Sequence, residues 1–296
     1  MREARGPCTG PYDGAVTATS DPRDRPIGVF DSGVGGLTVL HELLVTLPSE
    51  DVVYFGDNAR LPYGPRPLDE IRRFALEIGG YLESRGVKLV VVACNSATAA
   101  ALPDLQRALS VPVVGVLQPE AHAAALATRN RRIGLLATQA TVDSGRYEQL
   151  ILGVDAGVEV TPVACPRLVP LIEGSDPFGD ETAEAVREVA APLREAGVDT
   201  VILGCTHYPI LRPLFQRVFG RDVTLVFSAE ETAREVAETL QRKGIENGAR
   251  REGAYAFLTT GDPGWFREMG RRFLQLPVGD VEHVQLHTLV REETHA

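Results

Sequence analysis

Cysteine and lysine are both scarce in this chain. Its 296 residues hold four cysteines, Cys8, Cys94, Cys165 and Cys205, and no two of them form a CxxC pair. A chain of this length has no need of disulfide staples, so the thiols read as reduced, as in a cytoplasmic protein. Only two of the 30 basic residues are lysines, Lys88 and Lys243. Pyridoxal phosphate chemistry needs a Schiff-base lysine at the site. Lys88 stands where a strand starts and Lys243 where a helix ends, so neither is well placed and no cofactor is expected. The six histidines include no HExxH pair, and His283 and His287 lie four apart in a strand-like tail, where that spacing does not build a site. No metal is expected either. No apolar run is long enough to span a membrane. Residues 1–25 lack the apolar centre of a signal peptide; rich in Gly, Pro, Thr, Asp and Arg, they read as a disordered extension in which Cys8 has no catalytic role.

The remaining composition is that of a globular protein, 44% hydrophobic and 24% charged. A net charge of −10 argues against broad nucleic-acid or anionic-membrane partners. It leaves room for a small anion held by backbone N–H groups. From Ile27 onward, short apolar runs alternate with stretches of helical spacing. Pro26–Phe30, Val52–Phe55, Leu89–Ala93 and Val111–Val116 read as strands. Leu37–Leu47, Leu68–Ser84, Ala97–Leu109 and Ala121–Thr128 read as helices. Such alternation predicts an α/β fold with mostly parallel sheets covered by helices.

The pattern then restarts. Ile133-Gly134-Leu135-Leu136-Ala137-Thr138 echoes Ile27-Gly28-Val29-Phe30-Asp31-Ser32, Arg167-Leu168-Val169-Pro170 echoes Arg60-Leu61-Pro62, and Cys205 echoes Cys94. These landmarks keep their order at a nearly constant offset, which points to an internal duplication and two pseudo-symmetric lobes around a cleft. Residues 26–117 with 228–296 would form the first lobe and residues 118–227 the second. After the repeat, Val223–Phe227 reads as a strand, Ala229–Lys243 as a helix ended by Gly244, Ala254–Thr259 as a strand and Pro263–Leu274 as a helix. The tail, Val281–Leu289, alternates like an edge strand that returns to the first lobe.

Both Cys94 and Cys205 follow an apolar run and precede polar residues, Asn95-Ser96 and Thr206-His207. In open α/β folds the carboxyl ends of strands are where ligands bind. The duplication therefore sets the two thiols on opposite walls of one cleft. Proton removal by one thiolate and proton supply by the opposite thiol, at a single carbon, fits such a pair and inverts its configuration. His207 is a candidate assistant for Cys205. Cys165, in Val163-Ala164-Cys165-Pro166, reads as structural. The turn Asp31-Ser32-Gly33-Val34-Gly35-Gly36 offers N–H groups and a hydroxyl to an anion. Two other classes stay open on these residues alone. One is a cysteine hydrolase using Cys205 and His207, which leaves Cys94 idle; the other is a binding protein that keeps the cleft.

Gly28–Leu37, Tyr54-Phe55-Gly56-Asp57, Leu61-Pro62-Tyr63-Gly64, Ala93-Cys94-Asn95, Gly204–Pro209 and Ser228–Ala233 together resemble the glutamate racemases of the aspartate/glutamate racemase superfamily. The resemblance runs from Ile27 to about Leu276. It implies cofactor-independent interconversion of L- and D-glutamate, with D-glutamate going to peptidoglycan, and usually a homodimer. Cys94 would act on the D-enantiomer and Cys205 on the L-enantiomer. Asp31, Ser32, Tyr63, Gly64, Asn95, Ser96, Thr206 and His207 match the family's substrate contacts. Asp31, Asp57, Glu173 and His207 match groups that assist the thiols. Aspartate is the nearest competing substrate; the Tyr63-Gly64 and Thr206-His207 pattern favours glutamate. Some family members bind DNA gyrase, a partner to which nothing in this sequence points beyond an acidic surface. The sequence departs from the family at Ser96, where Thr is usual, at Gln118, where Glu is common, and at Phe227, where Asp is common.

Overall fold

The computed structural model describes residues 21–249 and 251–286. Residues 1–20 of the expected extension, with Cys8, lie outside this range, as do His287 and the end of the expected tail strand. Of that extension, Pro22–Asp24 form a short 3-10 turn, capped by the Asp21 side chain. The chain then alternates as expected: β1 (Ile27–Asp31), α1 (Leu37–Thr46), β2 (Val52–Gly56), α2 (Leu68–Ser84), β3 (Leu89–Val92), α3 (Asn95–Ala108), β4 (Val113–Gly115) and α4 (Leu117–Ala127). The second series is β5 (Arg132–Ala137), α5 (Gln139–Asp143), α6 (Arg146–Val154), β6 (Glu159–Ala164), α7 (Leu168–Glu173), α8 (Asp180–Glu195), β7 (Thr200–Gly204), α9 (Arg212–Phe219) and β8 (Thr224–Val226). Then come α10 (Ser228–Lys243), β9 (Tyr255–Thr259), α11 (Pro263–Leu274) and β10 (Val281–His283).

Two parallel sheets result. The first has the order β10-β9-β2-β1-β3-β4 and the second β6-β5-β7-β8. The block β2-β1-β3-β4 therefore repeats as β6-β5-β7-β8, with β1 corresponding to β5 and β3 to β7. Register agrees: Val29 lies opposite Val91 as Leu135 lies opposite Ile202. The repeated offset in the sequence is thus a repeated topology. Strands β9 and β10 extend only the first sheet, on its β2 edge, so the tail does return to the first lobe. Its pairing is parallel and its strand is shorter than the alternation suggests.

Helices cover the sheet faces, and this explains the uninterrupted apolar runs. Val90, Val91 and Val92 are fully buried, as are Val201, Ile202 and Leu203. Each such side chain contributes on the order of 1.5–3 kcal/mol by leaving water. The amphipathic α2 buries Ile71, Ala75, Ile78 and Leu82. It approaches α3 closely at Gly79, where a Cβ would stand 2.6 Å from Leu105.

Some boundaries differ from expectation. Asn95 and Ser96 are not in a turn: α3 starts directly after Cys94, whose Sγ accepts from the Ala97 N–H at 3.5 Å as an N-cap. Helix α4 begins at Leu117 rather than Ala121, because Pro119 is accommodated in a first turn, where its missing N–H costs nothing. Strand β6 had no sequence counterpart; it is a half-exposed edge strand that carries Pro162, so it lacks a buried strand's apolar run. Among the described residues, no helix is long and apolar enough to cross a membrane.

At the strand ends away from the cleft, Lys88 is buried and ion-paired to buried Glu50 at 2.5 Å, and donates to the Arg23 carbonyl at 2.9 Å. Glu50 also accepts from the Asn247 N–H at 2.7 Å. The Lys88→Met variant leaves that carboxylate buried and uncompensated. Chemical denaturation should show a loss of about 3–5 kcal/mol, with the cleft unaffected.

Candidate active site

The carboxyl ends of both sheets converge on one cleft of about 260 Å³. This is slightly below the roughly 300–1,000 Å³ of drug-sized ligand pockets. Cys94 and Cys205 both line it, as do Ser32, Tyr63, Gly64, Asn95, Ser96, Thr206 and His207. Asp31, Asp57 and Glu173 stand behind that wall. Cys165 is also part of the lining, which its sequence context did not suggest.

The lobes meet through the loops that carry these residues. In the first lobe's glycine turn, a Cβ on Gly35 would fall 2.4 Å from both His207 Nδ1 and Thr206 Oγ1. Only a hydrogen fits there. The Thr38 hydroxyl shares its proton between the Gly35 carbonyl at 2.9 Å and, across the lobes, the Thr206 carbonyl at 3.2 Å. On the other side of the cleft, the Ala140 N–H donates to the Gly64 carbonyl at 2.9 Å, and Ser96 Oγ lies 2.8 Å from Thr138 Oγ1. The loop after β1 thus meets the loop after β7, while the start of α3 after β3 meets the loop after β5. This pairing is what a pseudo-two-fold between duplicated halves produces. Thr138 was visible in the sequence as the repeat's echo of Ser32.

The two thiols have different neighbours. Cys205 Sγ lies 3.8 Å from His207 Nδ1, and His207 Nε2 lies 2.9 Å from Glu173 Oε1. Burial works against a charged His207, but its hydrogen bonds to Cys205 and Glu173 outweigh that and raise it to about 10. Glu173 ends α7, whose last carbonyls are held from the first lobe: Arg272 donates to Ile172 at 3.0 Å and Gly174 at 2.8 Å. Phe273 sets its ring edge-on to His207 with centroids 5.0 Å apart. Cys94 has Ser32 Oγ at 3.8 Å. Its thiol is pushed well up, first by burial and then by the Asp31 carboxylate, against which the Ala97 and Ser32 hydrogen bonds work. Asp31 is itself buried; Oδ2 accepts from the Gly33 N–H at 3.0 Å, while Oδ1 has no hydrogen-bond partner among the described residues.

Asp57 makes no such approach to a thiol. Its carboxylate takes the Tyr63 hydroxyl, Arg60 Nε at 2.6 Å and Thr260 Oγ1 at 2.8 Å, so it reaches the cleft only through Tyr63. Sequence reading also missed a buried group behind Asn95. Asn95 Nδ2 donates to Tyr147 Oη at 2.9 Å, and Tyr147 donates to Glu120 Oε2 at 2.5 Å. Burial raises Glu120 to about 8, with the Tyr147 and Asn95 hydrogen bonds pulling the other way. Its one sequence signal is a carboxylate beside Leu117, Ala121 and Ala124 on the buried face of α4.

Among the described residues no group of three or more His, Cys, Asp or Glu is arranged to hold a metal ion. Lys88 is engaged by Glu50 and Lys243 stands exposed at the end of α10, so neither ammonium faces the cleft.

Residues 32–236 match the Asp/Glu/hydantoin racemase family. The chain is 46% identical over 262 residues to a glutamate racemase from Geobacter metallireducens, covering 88% of this chain and 97% of that one. The chain belongs to this racemase family. Its fold superposes on glutamate racemase isoform RacE1 from Bacillus anthracis with a TM-score of 0.86 at 41% identity, covering 89% of this chain and 98% of that one. The glutamate racemase from Francisella tularensis, solved in complex with D-glutamate, gives a TM-score of 0.83 at 33% identity, covering 89% and 98%. Family membership removes the hydrolase reading, which gave Cys94 nothing to do.

Two predictions test how this enzyme's site is held. Gly35→Ala displaces His207 and Thr206, and a shift of that kind should lower kcat/KM by about 10² in a steady-state assay of the folded variant. Glu120 binds its proton more tightly folded than unfolded, so wild-type stability falls relative to Glu120→Gln as pH rises from about 4.5 to about 8. Melting curves across that range should show the Glu120→Gln advantage growing with pH and levelling off above it.

Proposed function

We propose that this enzyme interconverts L- and D-glutamate by proton transfer between two thiols on opposite faces of Cα, without a cofactor. The observation that carries this reading is that Cys94 and Cys205, from equivalent places in the two halves, line the same small cleft. The relatives' substrate supports glutamate: the Geobacter and Bacillus proteins are glutamate racemases, and the Francisella enzyme was solved with D-glutamate bound.

In this mechanism Cys205 takes the α-proton of L-glutamate while Cys94 supplies one from the other side. Returning from D-glutamate, the roles exchange. The chain's own residues set the starting state. A protonated His207, braced by Glu173, stands beside Cys205, with Nδ1 3.8 Å from its sulfur. Burial and Asp31 keep Cys94 a thiol, the proton-bearing form needed opposite. Ser32, Asn95, Ser96, Thr206 and the Tyr63-Gly64 segment give the hydrogen bonds that orient the amino acid. Asp57 acts through Tyr63, holding its ring in the cleft wall. The methyl missing at Ser96 costs little, because its hydroxyl already has Thr138 as a partner.

The same reading places the enzyme in the cytoplasm, as a homodimer that supplies D-glutamate for peptidoglycan. The lobe boundaries we propose fall at α4 and α10, the helices that lead into and out of the second sheet.

Because the two enantiomers have equal energy, any variant must lose kcat/KM equally in both directions. Cys94→Ala and Cys205→Ala should therefore each lower racemisation both ways, by about 10² to 10⁴, as followed by polarimetry. In deuterated water, the product of wild-type turnover should carry deuterium at Cα while unreacted substrate stays protiated at low conversion. Near-normal turnover in either alanine variant removes the two-thiol mechanism, and turnover of aspartate alone removes the substrate.

A further inference from the structure

The buried group behind Asn95 has a directional logic. Glu120, on α4, and Tyr147, on α6, are both fully buried or nearly so and neither lines the cleft; Asn95 is buried and does. A phenol has one proton to give. With the proton that burial keeps on Glu120 placed on Oε1, which has no hydrogen-bond partner among the described residues, Oε2 is the acceptor and Tyr147 gives it its proton at 2.5 Å. Its oxygen is then left as an acceptor and takes Asn95 Nδ2 at 2.9 Å, and the same amide nitrogen lies 3.4 Å from Glu120 Oε2. A flipped amide would point its oxygen at the Glu120 oxygen and at a phenol whose proton is already committed. The carboxyl therefore fixes the phenol, and the phenol fixes the amide. Asn95 Oδ1 is left buried with no partner among the described residues. A buried acceptor of that kind costs on the order of 1–3 kcal/mol unless a ligand satisfies it.

We propose that Glu120 and Tyr147 are positioning residues that hold the Asn95 amide with its oxygen toward the cleft, as an acceptor for the substrate's α-ammonium. The ammonium is the one hydrogen-bond donor that glutamate carries at neutral pH, so an acceptor-only atom selects it. The inference rests on the reading that the cleft takes a free amino acid. Glu120 acts only through its partners and touches no reacting atom.

Three variants read this out in the full chain, with glutamate as substrate and glutarate, which lacks the amino group, as competitive inhibitor. In Glu120→Leu, the Tyr147 proton is released and can go to Asn95 Oδ1, turning the amide's N–H groups toward the ammonium. KM for both enantiomers should rise about tenfold, the size of one charge-assisted hydrogen bond, with kcat changed far less. Inhibition by glutarate should stay within about twofold, because the lost contact is to the ammonium. Adding Tyr147→Phe removes the competing donor, so the double variant should bind glutamate better than Glu120→Leu alone. Glu120→Gln keeps an acceptor for Tyr147 and should stay within about twofold of wild type.

The proposal is overturned if folded Glu120→Leu keeps its KM, if glutarate weakens in parallel with glutamate, or if the double variant is worse than the single. Should Glu120→Leu not fold, the comparison moves to Glu120→Gln and Tyr147→Phe: a raised KM in the second only, with glutarate unchanged, supports it, and the reverse order sinks it. Wild-type protein that does not turn over glutamate overturns the functional reading and this one together. Wild-type activity with insensitive variants overturns this one alone.

Discussion

The site depends on one close approach. The glycine turn after β1 lies so near the loop after β7 that Gly35 has no space for a Cβ beside His207 and Thr206. Each thiol belongs to its own sheet, and nothing within either sheet relates the two sulfurs. Their relation is set by backbone and side-chain contacts across the cleft: Gly35 under His207, Thr38 on the Thr206 carbonyl, Ala140 on the Gly64 carbonyl, Ser96 on Thr138. The contacts lie on both sides of the cleft and come from loops that correspond in the repeat. The proposed proton transfer between two thiols at one carbon tolerates little drift, and tight packing of small residues is a physical means of limiting it.

Symmetry of position does not bring symmetry of chemistry. The repeat aligns Asp31 with Ala137 and Ser96 with His207, so each thiol lost or gained a partner as the halves diverged. Cys94 sits at the N-terminus of α3 with a carboxylate nearby, and Cys205 in a turn beside a charged imidazole. Burial raises a thiol and a carboxylate raises it further, so Cys94 keeps its proton. In the mechanism proposed above that thiol is the acid, and Cys205, with His207 beside it, is the base. The helix α11 extends the asymmetry: it belongs to the first sheet, which alone has β9 and β10, yet Arg272 and Phe273 reach over to brace α7 and His207.

Much of the fold was legible because its signals are local. Val90–Val92 and Val201–Leu203 are apolar runs of strand length, and full burial of both sheet faces demands such runs. Gly244 ends α10 with a positive φ of 65°, a conformation glycine takes without strain. Where the local signal was weak, the reading slipped. Half-exposed β6 has no apolar run, and α4 starts at Leu117, four residues before the stretch whose spacing reads as helix. Cys165 reaches the cleft from a stretch whose sequence shows only burial. Glu120 illustrates the limit well: nothing near it on α4 indicates that its partners come from α6 and α3.

The sequence alone determined most strands, the helices of the first lobe, the duplication and the two thiols that line the cleft, since each rests on side-chain period or on repeated order within one stretch of chain. It also carried the motifs that the family shares. Tertiary structure decided which groups stand next to which. Asp57 went to Tyr63 and Arg60 rather than to a thiol, Glu173 went to His207, and Glu120 went behind Asn95. Hydrogen bonds act over about 3 Å, whereas these partners come from separate elements of the chain. Folding within each lobe brings Asp57 to Tyr63 and Glu173 to His207, and the packing of one lobe against the other brings Asn95 to Glu120 and Tyr147.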